Sequence, residues 1–92
     1  MFLIRRVEGL SMAPAYPHGK IVFAWRRKVA RVGDVVIVQH HKMELIKRVG
    51  QISNEGVYVV GDNPDNSTDS RHYGWLPLGS IIGVVIGGQA RD

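Results

Sequence analysis

Short runs of β-branched and aliphatic residues, separated by turns, most constrain what this chain can fold into. A period of two, or a brief continuous apolar stretch, is typical of strands, and Val and Ile favour strands. No amphipathic pattern of ten or more residues indicates a helix. The sequence therefore predicts an all-β barrel or sandwich-like domain. The predicted strands are residues 2–7, 21–25, 35–38, 43–49, 57–60 and 81–86, the last with a candidate bulge at Gly83.

Length and composition fit one modest hydrophobic core. Of the 92 residues, 45% are hydrophobic and 22% are charged, which are ordinary values for a globular domain. We expect a single domain over residues 1–92, with a frayed tail at residues 87–92. Cysteine is absent, so disulfides, thiolate zinc sites and cysteine nucleophiles are excluded.

Charge and hydropathy indicate which kinds of binding partner this sequence favours and which it does not. The net charge is +4, and the sharpest basic run, residues 26–28, has no interleaved aromatic residues, so no nucleic-acid binding is predicted. A solvated turn explains this run, and a phosphate or anionic-lipid contact is the alternative. The longest apolar run, residues 81–86, is far shorter than the roughly 20 residues of a membrane-spanning helix.

A polar segment from Gly61 to Arg71 is the strongest indication of function. It reads Gly-Asp-Asn-Pro-Asp-Asn-Ser-Thr-Asp-Ser-Arg and follows the predicted strand at residues 57–60. An ordinary hairpin loop needs about two to five residues. A much longer loop, rich in side chains that bond to nearby backbone, therefore favours a functional role.

Two residues have the chemistry of a nucleophile and a base. Ser11 follows the first predicted strand and precedes Pro14, although a loop serine is by itself a weak signal. Lys47 shares a strand face with Leu45 and Val49. Such a lysine either extends its amine to solvent at a sheet edge or is buried, with a lowered pKa, as a general base.

The four histidines form no metal-binding pattern. His40 and His41 are adjacent and so face opposite sides of a strand, whereas His18 and His72 are isolated. Their spacing predicts no metal site, and we expect no cofactor. A Ser-His-Asp arrangement with an aspartate of the polar segment stays open, although exposed or capping roles suit these histidines better.

Four short motifs occur in order: Gly9 to Pro14, residues 31–36, residues 47–49 and Gly61 to Arg71. They resemble, in the same order, boxes of the type I signal peptidases, the S26 family of Ser-Lys proteases. These boxes are Ser-Met-x-Pro, Gly-Asp-(Val/Ile)-Val, Lys-Arg-(Val/Ile) and Gly-Asp-Asn-x-x-Asn-Ser-x-Asp-Ser-Arg. The resemblance extends over about residues 5–86, and its fourth motif is the most specific.

The resemblance implies roles for individual residues. By position, Ser11 matches the nucleophile, Lys47 the general base and Ser67 the serine that orients this lysine. The Ser11 amide would contribute to the oxyanion hole, and Met12 would line the substrate cleft. Structural support is implied for four residues of the polar segment: Asp62, Asn63 and an ion pair of Asp69 with Arg71.

The resemblance also implies a fold and a reaction. The implied fold is a LexA-like or signal-peptidase-like β domain, to which a peptide or protein substrate adds as an extended strand. Family members remove N-terminal leader or signal sequences after small residues. Residues 61–64 are similar to short members of the nickel-type superoxide dismutase maturation protease kind. We therefore expect a cytoplasmic serine endopeptidase, the alternative being membrane association as part of a longer anchored protein.

Several positions depart from the family pattern, and two other functions stay open. Gly9 stands where some members have an oxyanion-hole serine, and three further departures are Ala15, Lys20 and Pro64. A self-cleaving LexA-type domain is disfavoured because the residues before Ser11 contain no Ala-Gly pair. A non-catalytic, peptide-binding relative is disfavoured by the joint presence of a matching serine, lysine and orienting serine.

Overall fold

The computed structural model describes residues 1–26 and 29–87, and in this part of the chain the strands form one antiparallel sheet. The all-β prediction is confirmed: within the described residues, helical structure is limited to α1 (Ser70–Tyr73) and two short 3-10 turns, at Pro64–Asn66 and Leu78–Ser80. The order in the sheet is β1-β2-β7-β3-β4-β5-β6. The strands are β1 (Phe2–Arg6), β2 (Ile21–Trp25), β3 (Val35–His40), β4 (Met43–Ile52), β5 (Gly56–Val60), β6 (Leu76–Pro77) and β7 (Ile81–Val85).

Each predicted apolar run overlaps a strand, and β2 coincides with its run. β4 continues three residues beyond its predicted end because it pairs with β5 up to Ile52. The pairing of β3 with β7 shifts where Ile37 faces Gly83 and Val38 faces Ile81, so a bulge lies beside the predicted position. β6 was not predicted, since it has only two residues and one is a proline. The predicted frayed tail lies, apart from Gly87, outside the described residues.

The sheet buries apolar side chains on both faces. The central strand β3 alternates between the faces, and Val35 to Val38 are fully buried, which explains the continuous apolar run in the sequence. One core comprises Leu3, Val7, Met12, Tyr16, Val22, Ala24, Val35, Ile37 and Val85. The other comprises Ala30, Val36, Val38, Val49, Val57, Val59, Leu76, Ile81 and Val84. No helix in the described residues has the length and apolar character to cross a membrane.

The sheet curls so that two strands that are not paired approach each other. β1 and β4 are separated in the sheet by β2, β7 and β3, yet Arg5 on β1 forms an ion pair with Glu44 on β4 at 2.6 Å. β1 pairs only with β2, and β5 pairs with β4 only from Arg48 to Ile52. In the described part of the chain, β1 and residues 43–47 therefore present free strand edges on either side of a gap.

Candidate active site

Ser11 and Lys47 line the same cavity, in the gap between β1 and β4. The cavity has a volume of about 240 Å³, and its walls are residues 5–8, residues 43–47 and Ser11. Ser11 is half-buried, which leaves its hydroxyl within reach of a molecule in the cavity. The curl of the sheet thus brings together the two residues that the sequence suggested as nucleophile and base.

Lys47 is buried rather than extended into solvent. Its side chain is on the sheet face that also buries Val49, the residue is 5% exposed, and Nζ donates a hydrogen bond to Ser67 Oγ at 3.3 Å. Burial lowers the pKa of Lys47 below its usual value of 10.5; the negative charge of Asp69 opposes this shift, and the positive charge of Arg71 adds to it. Burial therefore makes the neutral amine, the form that a general base requires, more accessible than in a free lysine.

Asp69 anchors the hydrogen bonds of the polar segment. It is fully buried, and its Oδ2 accepts from Ser67 Oγ at 2.6 Å and from the Gly61 amide at 2.8 Å. The guanidinium of Arg71 donates to both carboxylate oxygens, at 2.6 and 3.0 Å. Burial alone would raise the pKa of Asp69, but the bonds from Arg71, Gly61 and Ser67 outweigh it and hold this pKa well below its usual range. Ser67 thus donates to a carboxylate and accepts from Lys47.

Asn63 ties the polar segment to the Ser11 loop. Its amide N–H donates to the Ser11 carbonyl at 2.8 Å, and its Nδ2 donates to the Leu10 carbonyl at 3.1 Å. The Ser11 amide N–H has no hydrogen-bond partner in the described residues. The loop is therefore held through its carbonyls, and one amide stays available to a ligand in the cavity.

Asp62 connects the polar segment to β4 and to the turn before β3. It forms a two-point ion pair with Arg48, with N–O distances of 2.8 and 2.9 Å. Arg48 also donates to the Gly33 carbonyl at 2.7 Å. The turn itself is closed by the Asp34 side chain, which accepts from the Arg31 amide at 2.8 Å. Through these contacts, the second and third sequence motifs, residues 31–36 and 47–49, hold the structure next to Lys47 in place.

Two contacts that the sequence predicted stay predictions. In the described residues no hydrogen bond joins Ser11 to Lys47, so the direct contact of the dyad stays a prediction. Met12 is 1% exposed and packs in the core, and it is not among the residues that line the cavity. Its predicted contact with substrate also stays a prediction, which its burial does not favour.

Two histidines act as caps, one of them next to the Ser11 loop. His18 Nδ1 accepts a hydrogen bond from the Gly9 amide at 2.9 Å, and His72 Nδ1 accepts from the Asp69 amide at 3.3 Å. A capping role agrees with the sequence expectation for the histidines, but the partner of His18 was not predicted, because a residue seven positions after the serine shows no local periodicity that links it to Gly9. In the described residues, no histidine lines the cavity, and no group of three or more His, Asp and Glu side chains is placed to hold a metal ion.

The curled all-β sheet and the buried lysine beside a serine loop define a class of peptidase domain. The profile of the Peptidase S24-like family matches residues 2–86, and the chain belongs to this family. The resemblance to the type I signal peptidases is thereby confirmed at the level of an S24/S26-type peptidase. The resemblance to nickel-type superoxide dismutase maturation proteases stays a prediction.

The chain is similar to parts of longer peptidases. It is 30% identical to mitochondrial inner membrane protease subunit 1 of Mus musculus over 76 residues, which is 83% of this chain and 43% of the relative. With the same subunit of Saccharomyces cerevisiae it shares 36% identity over 61 residues, 66% of this chain and 30% of the relative. Signal peptidase I of Buchnera aphidicola is 52% identical over 29 residues, 32% of this chain and 9% of that protein. The chain thus spans less than half the length of these relatives.

Proposed function

We propose that the chain is a serine endopeptidase in which Ser11 is the nucleophile and Lys47 is the general base. The single observation that carries this proposal is that both residues line one cavity while the lysine amine is buried and bound to Ser67. Membership of the Peptidase S24-like family supports it. The S26 subtype belongs to the same proposal and rests on the four sequence motifs.

The proposed reaction assigns a task to each group at the site. Neutral Lys47 takes the proton of Ser11 Oγ as this oxygen attacks the peptide carbonyl carbon, and the protonated lysine then passes the proton to the leaving amine. The Ser11 amide N–H stabilises the negative carbonyl oxygen, a contribution of about 10²–10³-fold for one such donor. Lys47, neutral again, then takes a proton from water as the water oxygen attacks the acyl carbonyl carbon, and it returns this proton to Ser11 Oγ as the ester bond breaks and the new carboxyl end of the peptide leaves.

Ser67 is proposed to orient the base. It accepts one N–H of Lys47 while its own proton goes to Asp69 at 2.6 Å. The direction of this chain fixes the lysine amine as a donor towards Ser67, so its lone pair is directed elsewhere. Asp69 and Arg71 act as structural support, since neither lines the cavity.

The substrate is proposed to bind as an extended strand in the gap between β1 and β4. Both edges offer main-chain groups without a strand partner in the described residues, which is the requirement for strand addition. The proposed substrate is a peptide or protein with an N-terminal leader or signal sequence, cut after a small residue. The names of the relatives, a mitochondrial inner membrane protease subunit and a signal peptidase, support this class.

A cytoplasmic location is part of the proposal, with membrane contact as its alternative. An exposed apolar face on β1 and β2, formed by Phe2, Ile4, Phe23 and Trp25, is the feature that favours the alternative. A sedimentation assay with anionic phospholipid vesicles separates the two: the protein stays in the supernatant if it acts away from membranes.

Cleavage of leader peptides tests the proposed function. Peptides ending their leader in Ala-x-Ala are incubated with the protein and with Ser11→Ala, and products are identified by mass spectrometry. Ser53→Ala is the matched control, because this serine caps the β4–β5 turn away from the cavity. We expect cleavage by the protein and the control only. Fragments of the chain itself would indicate the LexA-type self-cleaving reaction, and binding without cleavage would indicate the non-catalytic alternative.

A further inference from the structure

Arg5 and Glu44 form an ion pair inside the cavity that holds Ser11 and Lys47. Arg5 Nε lies 2.6 Å from Glu44 Oε1, and Nη2 lies 3.2 Å from Oε2. Both residues line the cavity. They are on β1 and β4, so the pair bridges the two free strand edges between which we placed the peptide.

The pair is accessible to a ligand. The two side chains are 34% and 36% exposed, so a bound peptide can touch both. The hydrogen bonds from Arg5 lower the pKa of Glu44, so the carboxylate stays charged over the range in which a lysine base operates. A peptide strand in the gap therefore passes two opposite charges that already neutralise each other.

We propose that the Arg5–Glu44 pair sets the charge preference of the peptidase, favouring substrates with an uncharged side chain where the bound strand passes the pair. This inference rests on the proposed function. A charged substrate side chain gains attraction from one partner and repulsion from the other, whereas an uncharged one leaves the pair intact. Removing either partner exposes the remaining charge, which then selects the opposite charge on the peptide.

A peptide scan on single variants tests this preference. Leader peptides carry Ala, Asp or Lys at each position on either side of the cleaved bond, and kcat/KM is measured for each peptide. Glu44→Ala leaves Arg5 alone, so at one position the ratio of Asp to Lys peptides rises. Arg5→Ala leaves Glu44 alone, so at the same position this ratio falls. We expect shifts of about 1.5- to fivefold, the range for an accessible charge pair.

Charge-matched controls separate a local contact from a general field. Lys42→Ala and Glu55→Ala change the net charge by the same amounts at exposed positions that do not line the cavity, and their ratios stay at the wild-type value. The exchanged variant Arg5→Glu/Glu44→Arg restores the wild-type ratio. A shift in the controls as large as in Arg5→Ala and Glu44→Ala would contradict the inference.

A binding measurement separates failure of the inference from failure of the proposed function. Fluorescence anisotropy gives the affinity of the same peptides for Ser11→Ala, alone and combined with Arg5→Ala or Glu44→Ala. Cleavage with unchanged ratios would leave the function standing and overturn the inference. Absence of cleavage, with affinities that shift in opposite directions, would overturn the function and with it the inference as stated, and would show that the pair selects charge in peptide binding alone. If no peptide is bound or cut, both are wrong.

Discussion

The Nζ atom of Lys47 lies 3.3 Å from the Oγ atom of Ser67, and both residues are more than nine-tenths buried. The lysine is on β4 and the serine is twenty positions later in the polar segment. The contact therefore depends on the polar segment folding back over β4, which Asp69, Asn63 and Asp62 bring about through their own bonds. A buried amine held in this way accounts for the first two predictions.

Activity is expected to rise with pH through the pKa of Lys47. Burial lowers this pKa from its usual 10.5, and only the neutral amine can accept the Ser11 proton, so kcat/KM increases as the lysine loses its charge. Lys47→Arg is expected to be as inactive as Lys47→Ala, because a guanidinium stays protonated at any usable pH. A pH–rate profile rising near pH 6.5, together with an active Lys47→Arg, would indicate a histidine base instead.

Lys47 is also expected to reduce stability at neutral pH. Between its lowered pKa in the folded protein and 10.5, the unfolded chain binds more protons than the folded one, so stability rises with pH across this window. Lys47→Met keeps the length of the side chain and removes its charge. We expect this variant to unfold at a higher temperature at pH 7 and to lose activity. A lower melting temperature would show that bonding to Ser67 outweighs desolvation.

Removal of Asp69 is expected to destabilise the protein, because Asp69 holds the polar segment in place. Asp69→Ala leaves the buried Gly61 amide and the buried Ser67 hydroxyl without their acceptor, and we expect a loss of about 1–3 kcal/mol for each of these donors in the free energy of unfolding. Denaturant titration measures this loss. An unchanged stability with abolished activity would instead assign Asp69 to the chemistry.

The same carboxylate predicts sensitivity to acid. The pKa of Asp69 is held below its usual range in the folded protein, so its contribution to stability is present above the unfolded value of about 3.9 and is lost as pH falls below it. Urea titrations at pH 6 and pH 3 should show a larger drop for the wild type than for Asp69→Asn. Equal drops in both proteins would contradict this assignment.

Local sequence patterns predicted most of the strands, because β-branched runs and turn residues determine the backbone conformation of their immediate neighbours. They did not predict the two-residue β6 or the four-residue α1, which are too short to show a period. The motifs indicated Ser11 and Lys47, but no local pattern could show that β1 and β4 approach each other. That relation, like the ion pair of Arg5 with Glu44, depends on how the whole sheet curls.

His18 is expected to position the nucleophile loop. Its Nδ1 accepts from the Gly9 amide, two residues before Ser11. His18→Leu removes the acceptor, whereas His18→Asn retains one on a side chain of similar reach. We expect kcat/KM to fall about tenfold in His18→Leu, mainly through kcat, because a loosened loop misplaces the hydroxyl and the amide. Recovery of most of the activity in His18→Asn checks the role; equal losses in both variants would contradict it.

Gly61 is expected to tolerate no side chain, because it lies where the Ser11 loop meets Ser67 of the polar segment. A Cβ there would be 2.2 Å from Ser67 Oγ and 2.7 Å from the Ser11 carbonyl oxygen, and neither neighbour can yield without moving the site. Overpacking of this kind costs about 1–3 kcal/mol, so Gly61→Ala should lower the denaturation midpoint. The displaced Ser67 would also release Lys47, so we expect kcat to fall by up to about 100-fold, the loss that a misplacement of about 1 Å can cause. Gly79→Ala is the matched control, since a Cβ at that position meets nothing within 4 Å, and its stability and kcat should equal those of the wild type. Wild-type kcat in Gly61→Ala would show that the contact between the Ser11 loop and the polar segment does not position the reacting groups.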